Sequence, residues 1–593
     1  MTTRSTRTPR RRTVVALGVV LAIVIAFVVR LVDIQVVNAD ANIAQSLSMG
    51  IGVSKPIDGT RGSIVDENGT VLADSILTYD AQLDPSTVGP VKRIGADGTT
   101  TTVDWPTAAG QIGAITGQNP DDIQKLVSDA LAKDPGSQYA PLATGLSTAK
   151  YVALKNLNLP FLAFRANPAR AYPAGAVAGN LVGFVGSDGN PLAGLEDAQN
   201  QCLSPTAGSV TYEQGMDGNI IPGTETEKPA VDGGTLKLTI NSDLQWYLQQ
   251  LVAQSVQDMG ANYGTITVVE VKTGKIRAAA EYPTVDPNNI NAPGSYLYSR
   301  IFNSTFEPGS TFKAITASTL IDAAGQSPTS TAEVPAAKSF DNGARVIDAD
   351  MHPTENYTLA GVLINSSNVG ASVFSERVSP QTRYDYLQRF GIGSGSAVNF
   401  LGEAKGLVYP PDQWNNQMLY DTSYGQGLTT TIPELMDAYV GIVNNGQKVP
   451  LSLVESCTHP DGTVDTPPAP ATTQVVSPDT SAQMREILEN VALQGSVADQ
   501  VKIPGYRIGL KTGTGQKTDG NGHYKSDVYY TSLIGFAPAD DPQYLVAVTL
   551  DEPTAVRSSA ANAPAFQKAM TQVLKTFRVP PSTTQPVVLP QTG

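Results

Sequence analysis

Glu307-Pro308-Gly309-Ser310-Thr311-Phe312-Lys313 is the stretch on which the reading of this chain turns. Pro308 and Gly309 precede a helical run that ends near Gly325, a proline at the start and a glycine past the end. At i and i+3, Ser310 and Lys313 project from one helix face, a turn apart. A serine hydroxyl is a weak nucleophile at neutral pH and needs a base within hydrogen-bond reach. A desolvated lysine can be that base, so no histidine is required. The helix start adds N–H groups that suit an oxyanion. Ser-x-x-Lys nevertheless arises by chance about once or twice in a chain of this length, so it carries weight only in company.

The company lies downstream. Ser366-Ser367-Asn368 follows the apolar Leu359–Ile364 segment. A hydroxyl and an amide two residues apart on a loop can relay a proton and hold a substrate amide, although Ser-x-Asn alone is usually a loop or a helix cap. Lys511-Thr512-Gly513-Thr514 follows Arg507-Ile508-Gly509-Leu510. Read as a strand, this run buries Ile508 and Leu510 and turns Lys511 and Gly513 to the other face. Lys511 then offers a cation to a carboxylate, and Gly513 lets a substrate backbone approach closely. The order SxxK, SxN, KTG is the motif set of penicillin-binding proteins and class A β-lactamases.

The amino terminus sets the compartment. Arg4, Arg7, Arg10, Arg11 and Arg12 precede an uncharged run from Thr13 to Val29, and after Arg30 the next Lys or Arg is Lys55. Residues 13–34 are expected to form one membrane helix, with residues 1–12 cytoplasmic and the body outside. Ala39-Asp40-Ala41 has the form of a signal-peptide cleavage site, but the long apolar run and Arg30 favour an uncleaved anchor. Formal charge is −14, and the five amino-terminal arginines leave the rest more acidic still, which argues against a nucleic-acid partner. The three histidines are scattered, and no Cys or His spacing suits zinc, so neither a metal nor a cofactor is expected. Cys202 and Cys457 are both exported and could pair. They fall in different expected domains, and two separate thiols is the expectation.

Residues 36–232 read as α+β with many turns. Arg61-Gly62-Ser63-Ile64 through Leu72-Ala73 forms a hairpin about Asn68-Gly69, and residues 90–117, rich in Gly and Thr, form an exposed insertion. Asn119 caps an amphipathic helix through Leu131. A second domain, 234–578, opens with a strand, a helix over Asp243–Met259 and two strands, and closes with a hairpin and a helix over Ala563–Phe577. The Pro- and Thr-rich residues 579–593 are expected to be disordered. They end in Leu589-Pro590-Gln591-Thr592-Gly593, the form of a sortase motif. No apolar helix follows it in the sequence, so covalent wall attachment is not expected.

Beyond the three motifs the chain resembles the class B penicillin-binding proteins. Arg30-Leu31 with Ile34-Gln35-Val36, the Arg61–Ala73 signature, Arg170-Ala171-Tyr172-Pro173, Gly194-Leu195-Glu196 and Asp217-Gly218-Asn219 carry the likeness in the first half. Trp414-Asn415, Tyr424-Gly425-Gln426-Gly427 and Thr430-Thr431-Ile432-Pro433 carry it in the second, so that it runs from Arg30 to about Val579. The resemblance implies an α+β protein: a pedestal domain bearing a transpeptidase domain, an antiparallel five-stranded sheet flanked by helices. It implies that Ser310 attacks the D-Ala-D-Ala bond of a peptidoglycan stem peptide with Lys313 as base. Ser366, Asn368 and Lys511 would pass the proton to the leaving D-alanine. The N–H groups of Ser310 and Thr514 would hold the oxyanion, and Thr512 and Thr514, beside Gly513, the terminal carboxylate. β-Lactams would acylate the same serine, and a membrane glycosyltransferase is the implied partner. Two departures stand out: Glu67 replaces the usual basic residue, read as a solvent-facing turn change, and Gly515 replaces a common Ala and would loosen the strand end. A β-lactamase would lack the pedestal and turn penicillin over quickly; a non-catalytic scaffold would not need intact Ser310, Lys313, Asn368 and Lys511.

Overall fold

The computed structural model describes residues 7–39, 52–94, 100–214, 219–468, 471–520 and 523–593. Asp40-Ala41 of the cleavage-like triplet and Asp217-Gly218 lie outside them, as do the first six residues. Helix α1, Arg7–Val32, runs on into a π-turn over Asp33–Val37. Among the described residues, Arg12–Val37 is the one span long and apolar enough to cross a membrane, and none of it is buried against protein. A helix apolar all round matches hydrocarbon rather than a protein core.

The chain forms two units. The first, Met1–Thr60 with Ser204–Gly233, holds an antiparallel sheet in which Gly208–Glu213 lies between Gly52–Ile57 and Thr226–Lys228. The second comprises Arg61–Leu203 and Gly234–Gly593.

Within the second unit the expected hairpin forms, Ile64–Val65 pairing antiparallel with Val71–Leu83 and parallel with Thr235–Leu238. Its turn is a polar junction. Asp66, fully buried, accepts the N–H groups of Asn68 and Thr70 on one oxygen and the N–H and hydroxyl of Ser242 on the other. Glu67 does not face solvent as expected; it pairs with Arg277 and accepts from Asn241 (2.8 Å). Three motifs distant in sequence meet nearby at one carboxylate. Glu196, fully buried, takes Arg61 Nε at 2.7 Å and Arg170 Nε at 2.6 Å, with the Tyr172 hydroxyl at 3.4 Å.

Residues 90–117 are less exposed than read. A hairpin of Val91–Ile94 and Thr100–Val103 leads into a helix, Trp105–Thr116. Its Ala108, Ala109 and Ile112 are buried with Leu83, Phe161, Ile123 and Val127 in a separate small core. Polar residues concentrated in the hairpin hid this short apolar face. Asn119 caps Pro120–Lys133 as expected.

The large core surrounds the second sheet. After helix α2 (Ser242–Met259) come strands β1 (Tyr263–Glu270) and β2 (Ile276–Tyr282). Helices α3 (Lys313–Ala324), α4 (Leu359–Ile364), α5 (Asn368–Ser375) and α6 (Pro478–Gln494) follow. Strands β3 (Gly509–Thr518), β4 (Tyr524–Ala537) and β5 (Tyr544–Asp551), then helix α7 (Ala563–Thr576), complete the set. The strand order is β2-β1-β5-β4-β3, antiparallel throughout, as expected. Helices α2 and α7 pack on each other and on the sheet; α3, α4 and α6 pack together, and α6 also lies against β3. β3 is an edge strand, and both its faces are covered from Gly509 to Gly513. Lys511 therefore turns inward into the protein, not outward to water.

Two further expectations are corrected. Cys202 and Cys457 form a disulfide. Strand Thr235–Leu238 unites them: Leu236 pairs with Cys457, and the N–H of Gly234 donates to Cys202 O at 2.7 Å. Residues 579–593, expected to be disordered, are seated: the Tyr506 hydroxyl donates to Val579 O (2.6 Å), Ser582 N–H to Gly505 O (2.9 Å), and Leu589 is buried. Side-chain amides that match its carbonyls fix a segment whose composition alone has no apolar pattern. Because the disulfide ties the 202 region to the strand beginning at Val454, its replacement by a Cys202→Ala/Cys457→Ala pair is expected to cost about 2–4 kcal/mol, read as a lower urea midpoint.

Candidate active site

The turn before α3 is a 3₁₀ segment, Gly309–Phe312, and Gly325 ends the helix in the left-handed conformation. Gly309 has φ +55°, and a Cβ there would press into the Thr514 carbonyl of β3, so only glycine suits the position. Thr311 locks the turn from both sides, its hydroxyl donating to Pro308 O (2.8 Å) and its carbonyl accepting from the buried Tyr439 hydroxyl (2.7 Å). Lys313–Ile321 are all buried, so the helix runs through the core and delivers Lys313 to its interior.

Helices α4 and α5 bracket the second motif. Thr358 caps α4 and Ser367 caps α5, each hydroxyl accepting an N–H three residues on. Ser366, between them, has φ +56°, an uncommon conformation for a serine that turns the chain sharply. Asp348 holds the loop, accepting from the Ser367 hydroxyl (2.6 Å) and Val369 N–H (2.8 Å), with His352 Nε2 at 3.0 Å. No sequence motif pointed to Asp348; an acid 18 residues before Ser366 carries no spacing signal.

The third motif lies on β3. Lys511 is opposite Ile534 of β4 and Gly513 opposite Ser532. A Cβ on Gly513 would collide with Ser532 Oγ, Pro308 O and Thr311, and one on Gly515 with Glu307 O. Both glycines thus serve the close approach of β3 to the nucleophile turn. For Gly513 this contact is one the sequence did not signal, and for Gly515 it is tight packing where loosening was expected. Thr514 Oγ1 accepts from Ser559 N–H (3.2 Å), and Thr512, buried, gives its carbonyl to Lys511 Nζ (3.1 Å).

The side chains converge on one point. Lys313 Nζ lies 2.7 Å from Ser310 Oγ, 2.6 Å from Ser366 O, 2.6 Å from Asn368 Oδ1 and 3.5 Å from Ser366 Oγ. Lys511 Nζ is 3.0 Å from Ser366 Oγ. Ser366 Oγ therefore stands between the two amines. Burial, and then the charge of Lys511, hold the Lys313 ammonium well below the usual lysine range, against a smaller opposing pull from Asp348. Burial alone pushes Lys511 down to about 7. The short partners of Lys313 are all uncharged oxygens, so nothing in contact fixes its proton.

Glu307, one turn before Ser310, belongs to none of the three motifs. Burial raises its carboxyl to about 7, against the Tyr524 hydroxyl and Gly427 N–H that hydrogen-bond to it. Among the described residues no group of His, Cys, Asp and Glu is arranged to hold a metal.

Comparison with known proteins gives the same picture. Residues 264–571 match the penicillin binding protein transpeptidase domain family, and residues 56–191 the penicillin-binding protein dimerisation domain family. Penicillin-binding protein PbpB of Mycobacterium tuberculosis is 33% identical, across 99% of this chain and 91% of that protein. Peptidoglycan D,D-transpeptidase FtsI of Escherichia coli is 28% identical, across 93% of this chain and 89% of its own. The crystal structure of penicillin binding protein 3 from M. tuberculosis complexed with ampicillin matches with a TM-score of 0.70 at 28% identity, covering 91% of this chain and all of that one. Three motifs gathered around one buried lysine, on a sheet of this order and with both domain families matched in sequence, lead to one conclusion: the chain belongs to the class B penicillin-binding proteins.

Proposed function

We propose that this chain is a membrane-anchored peptidoglycan D,D-transpeptidase working through an acyl-enzyme on Ser310. The observation that carries the reading is the coordination of Lys313. A neutral amine has two hydrogens and one lone pair. Ser366 O and Asn368 Oδ1, each at 2.6 Å, take the two hydrogens, which leaves the lone pair for the Ser310 hydroxyl at 2.7 Å. Desolvation favours that neutral form.

Ser310 Oγ then attacks the carbonyl carbon of the penultimate D-alanine while its proton passes to Lys313. The oxyanion rests on the N–H groups of Ser310 and Thr514. Collapse breaks the C–N bond, and the departing D-alanine amine takes the proton through Ser366 Oγ, which touches Lys511 and stands 3.5 Å from Lys313. Lys511, Thr512 and Thr514 receive the terminal carboxylate. An amine of a second stem peptide attacks the ester, and Ser310 regains its hydrogen. A β-lactam follows the first half only, because its cleaved amide stays tethered and blocks the second amine. The relatives' names and the ampicillin complex support this substrate and inhibitor class. The apolar α1 and the arginines before it favour an uncleaved anchor with the body outside, where a membrane glycosyltransferase would supply glycan strands.

Ser310→Ala is expected to abolish covalent labelling by a fluorescent penicillin while leaving the unfolding midpoint in place; a stoichiometric adduct on that variant would sink the mechanism. Lys313→Ala should slow acylation by about 10²- to 10⁴-fold, the range of a lost general base, measured by stopped-flow.

The pH dependence follows from the two amines. Lys511 is protonated below about 7 and neutral above it, so its attraction for a carboxylate weakens as pH rises through that value. Lys313 acts only when neutral, which places the loss of rate on its account at lower pH. Acylation by an anionic penicillin should therefore fall on the alkaline side with a midpoint near 7, and Lys511→Arg, which stays charged, should remove that limb. An alkaline limb unchanged in Lys511→Arg would show that another group causes it.

A further inference from the structure

Residues 587–593 lie along the helix that leads into the Ser366–Asn368 loop. Thr592 bridges Tyr357, and Gly593 and Asn356 exchange hydrogen bonds of 3.0 and 3.1 Å, so the segment runs along the edge of the strand Glu355–Thr358. Thr358, the cap of α4, donates its N–H to Gln591 O (2.9 Å) and its hydroxyl to Pro590 O (2.7 Å). A Cβ on Gly361 would collide with the Gln591 carbonyl, so helix and segment meet backbone to backbone.

The Gln591 side chain spans two elements. Its Oε1 accepts from Asn365 Nδ2 and its Nε2 donates to Gln494 Oε1 of α6, both at 3.0 Å. Asn365 directly precedes Ser366. Farther back, the buried Leu589 donates its N–H to Asn490 Oδ1 (2.9 Å) and accepts from Gln494 Nε2 (3.1 Å), while Asn490 Nδ2 reaches Val587 O (2.8 Å). Asp348 fixes the loop beyond Ser366; these bonds fix it before Ser366. A serine keeps a left-handed backbone only when its surroundings over-determine it.

We propose that residues 587–593 are a strap that positions the Ser366–Asn368 loop against Lys313, with Gln591 as the positioning residue. This rests on the acyl-enzyme reading above, since it is through Ser366 O and Asn368 Oδ1 that the strap reaches Lys313. A strap that merely stabilised the domain would need no side chain linked to the residue before Ser366.

The test uses the full chain and the second-order rate of labelling by a fluorescent penicillin. Leu589→Asp unseats the strap by placing a charge in its buried anchor; Gly361→Ala fills the space of the Gln591 carbonyl. Either is expected to slow acylation about tenfold, as small displacements of a catalytic constellation do. Gln591→Ala, which keeps the backbone seat, should lose about threefold to fivefold, in keeping with one or two neutral hydrogen bonds. In the unseated variants the acid limb of the pH–rate profile should also move, because Lys313 loses its oxygens. A peptide of residues 583–593 added in trans should restore Leu589→Asp but not Gly361→Ala. The proposal is overturned if hydrogen exchange shows the strap released while rate and pH profile stay those of the wild type. It is overturned equally if the rate loss follows only a lowered melting midpoint with the profile unmoved. Wild-type labelling at a residue other than Ser310 would instead strike the acyl-enzyme reading and remove the strap's role with it.

Discussion

Two buried lysines sharing one serine hydroxyl are the constraint on which this site depends. An ammonium taken out of water costs several kcal/mol unless a carboxylate or a full set of acceptors compensates it. A carboxylate within 3 Å of Lys313 would solve the energetic problem and fix the proton in place. The chain supplies uncharged oxygens instead: Ser310 Oγ, Ser366 O and Asn368 Oδ1. Asp348, the acid nearest in influence, is engaged by Ser367, Val369 and His352, so it holds the loop without pairing with Lys313. Low dielectric and a second amine nearby then act in the same direction, toward a neutral base.

That arrangement tolerates little slack. Ser310 comes from the 3₁₀ turn and Lys313 from the start of the helix after it, Ser366 and Asn368 from the junction of two other helices, and Lys511 from a sheet edge. The meeting of helix and strand is set by backbone contact, since Gly513 and Gly515 allow β3 to lie directly on the Glu307–Thr311 turn and Gly309 returns the contact at Thr514. A methyl group at any of these positions separates the strand from the turn, and with them Lys511 from Ser366. The rigidity comes from packing and not from the charged groups, which leaves those groups free to change state.

Much of this was legible in the sequence, and for a definite reason. Ser310, Lys313, Ser366, Asn368 and Lys511 are residues whose chemistry is local to short motifs, and the motifs fall in a fixed order along the chain. Individual strands such as Tyr544–Asp551 were legible as apolar runs bounded by turn residues, while the five-stranded antiparallel sheet itself was implied by the family resemblance. What escaped was relational. Cys202 and Cys457 share no local signal; only the strand beginning at Thr235 places both beside one element. Glu67 looked solvent-facing because Arg277, its partner, is far along the chain. The helix at Trp105–Thr116 was lost among threonines and glycines because its buried face is only Ala108, Ala109, Ile112 and Gly113. The terminal segment reads as polar and Pro-rich, and its order comes from amides on α6 and from Thr358, which no composition can reveal.

The contrast between two buried charge clusters explains how one fold separates architecture from chemistry. At Glu196 a buried carboxylate meets two guanidiniums, from Arg61 and Arg170, at 2.7 and 2.6 Å. Two guanidinium forks on one carboxylate fix one geometry, and removing Glu196 would leave two buried guanidiniums without their counter-charge. Such a cluster suits a junction between segments more than 100 residues apart, 61 and 170 among them. At Lys313 and Lys511 burial is as complete, yet the partners are hydroxyl, amide and carbonyl. There the charge state is the variable, set by burial and, for Lys313, also by the neighbouring charge of Lys511. Partner chemistry, not depth of burial, therefore decides which cluster holds the molecule together and which one can move a proton.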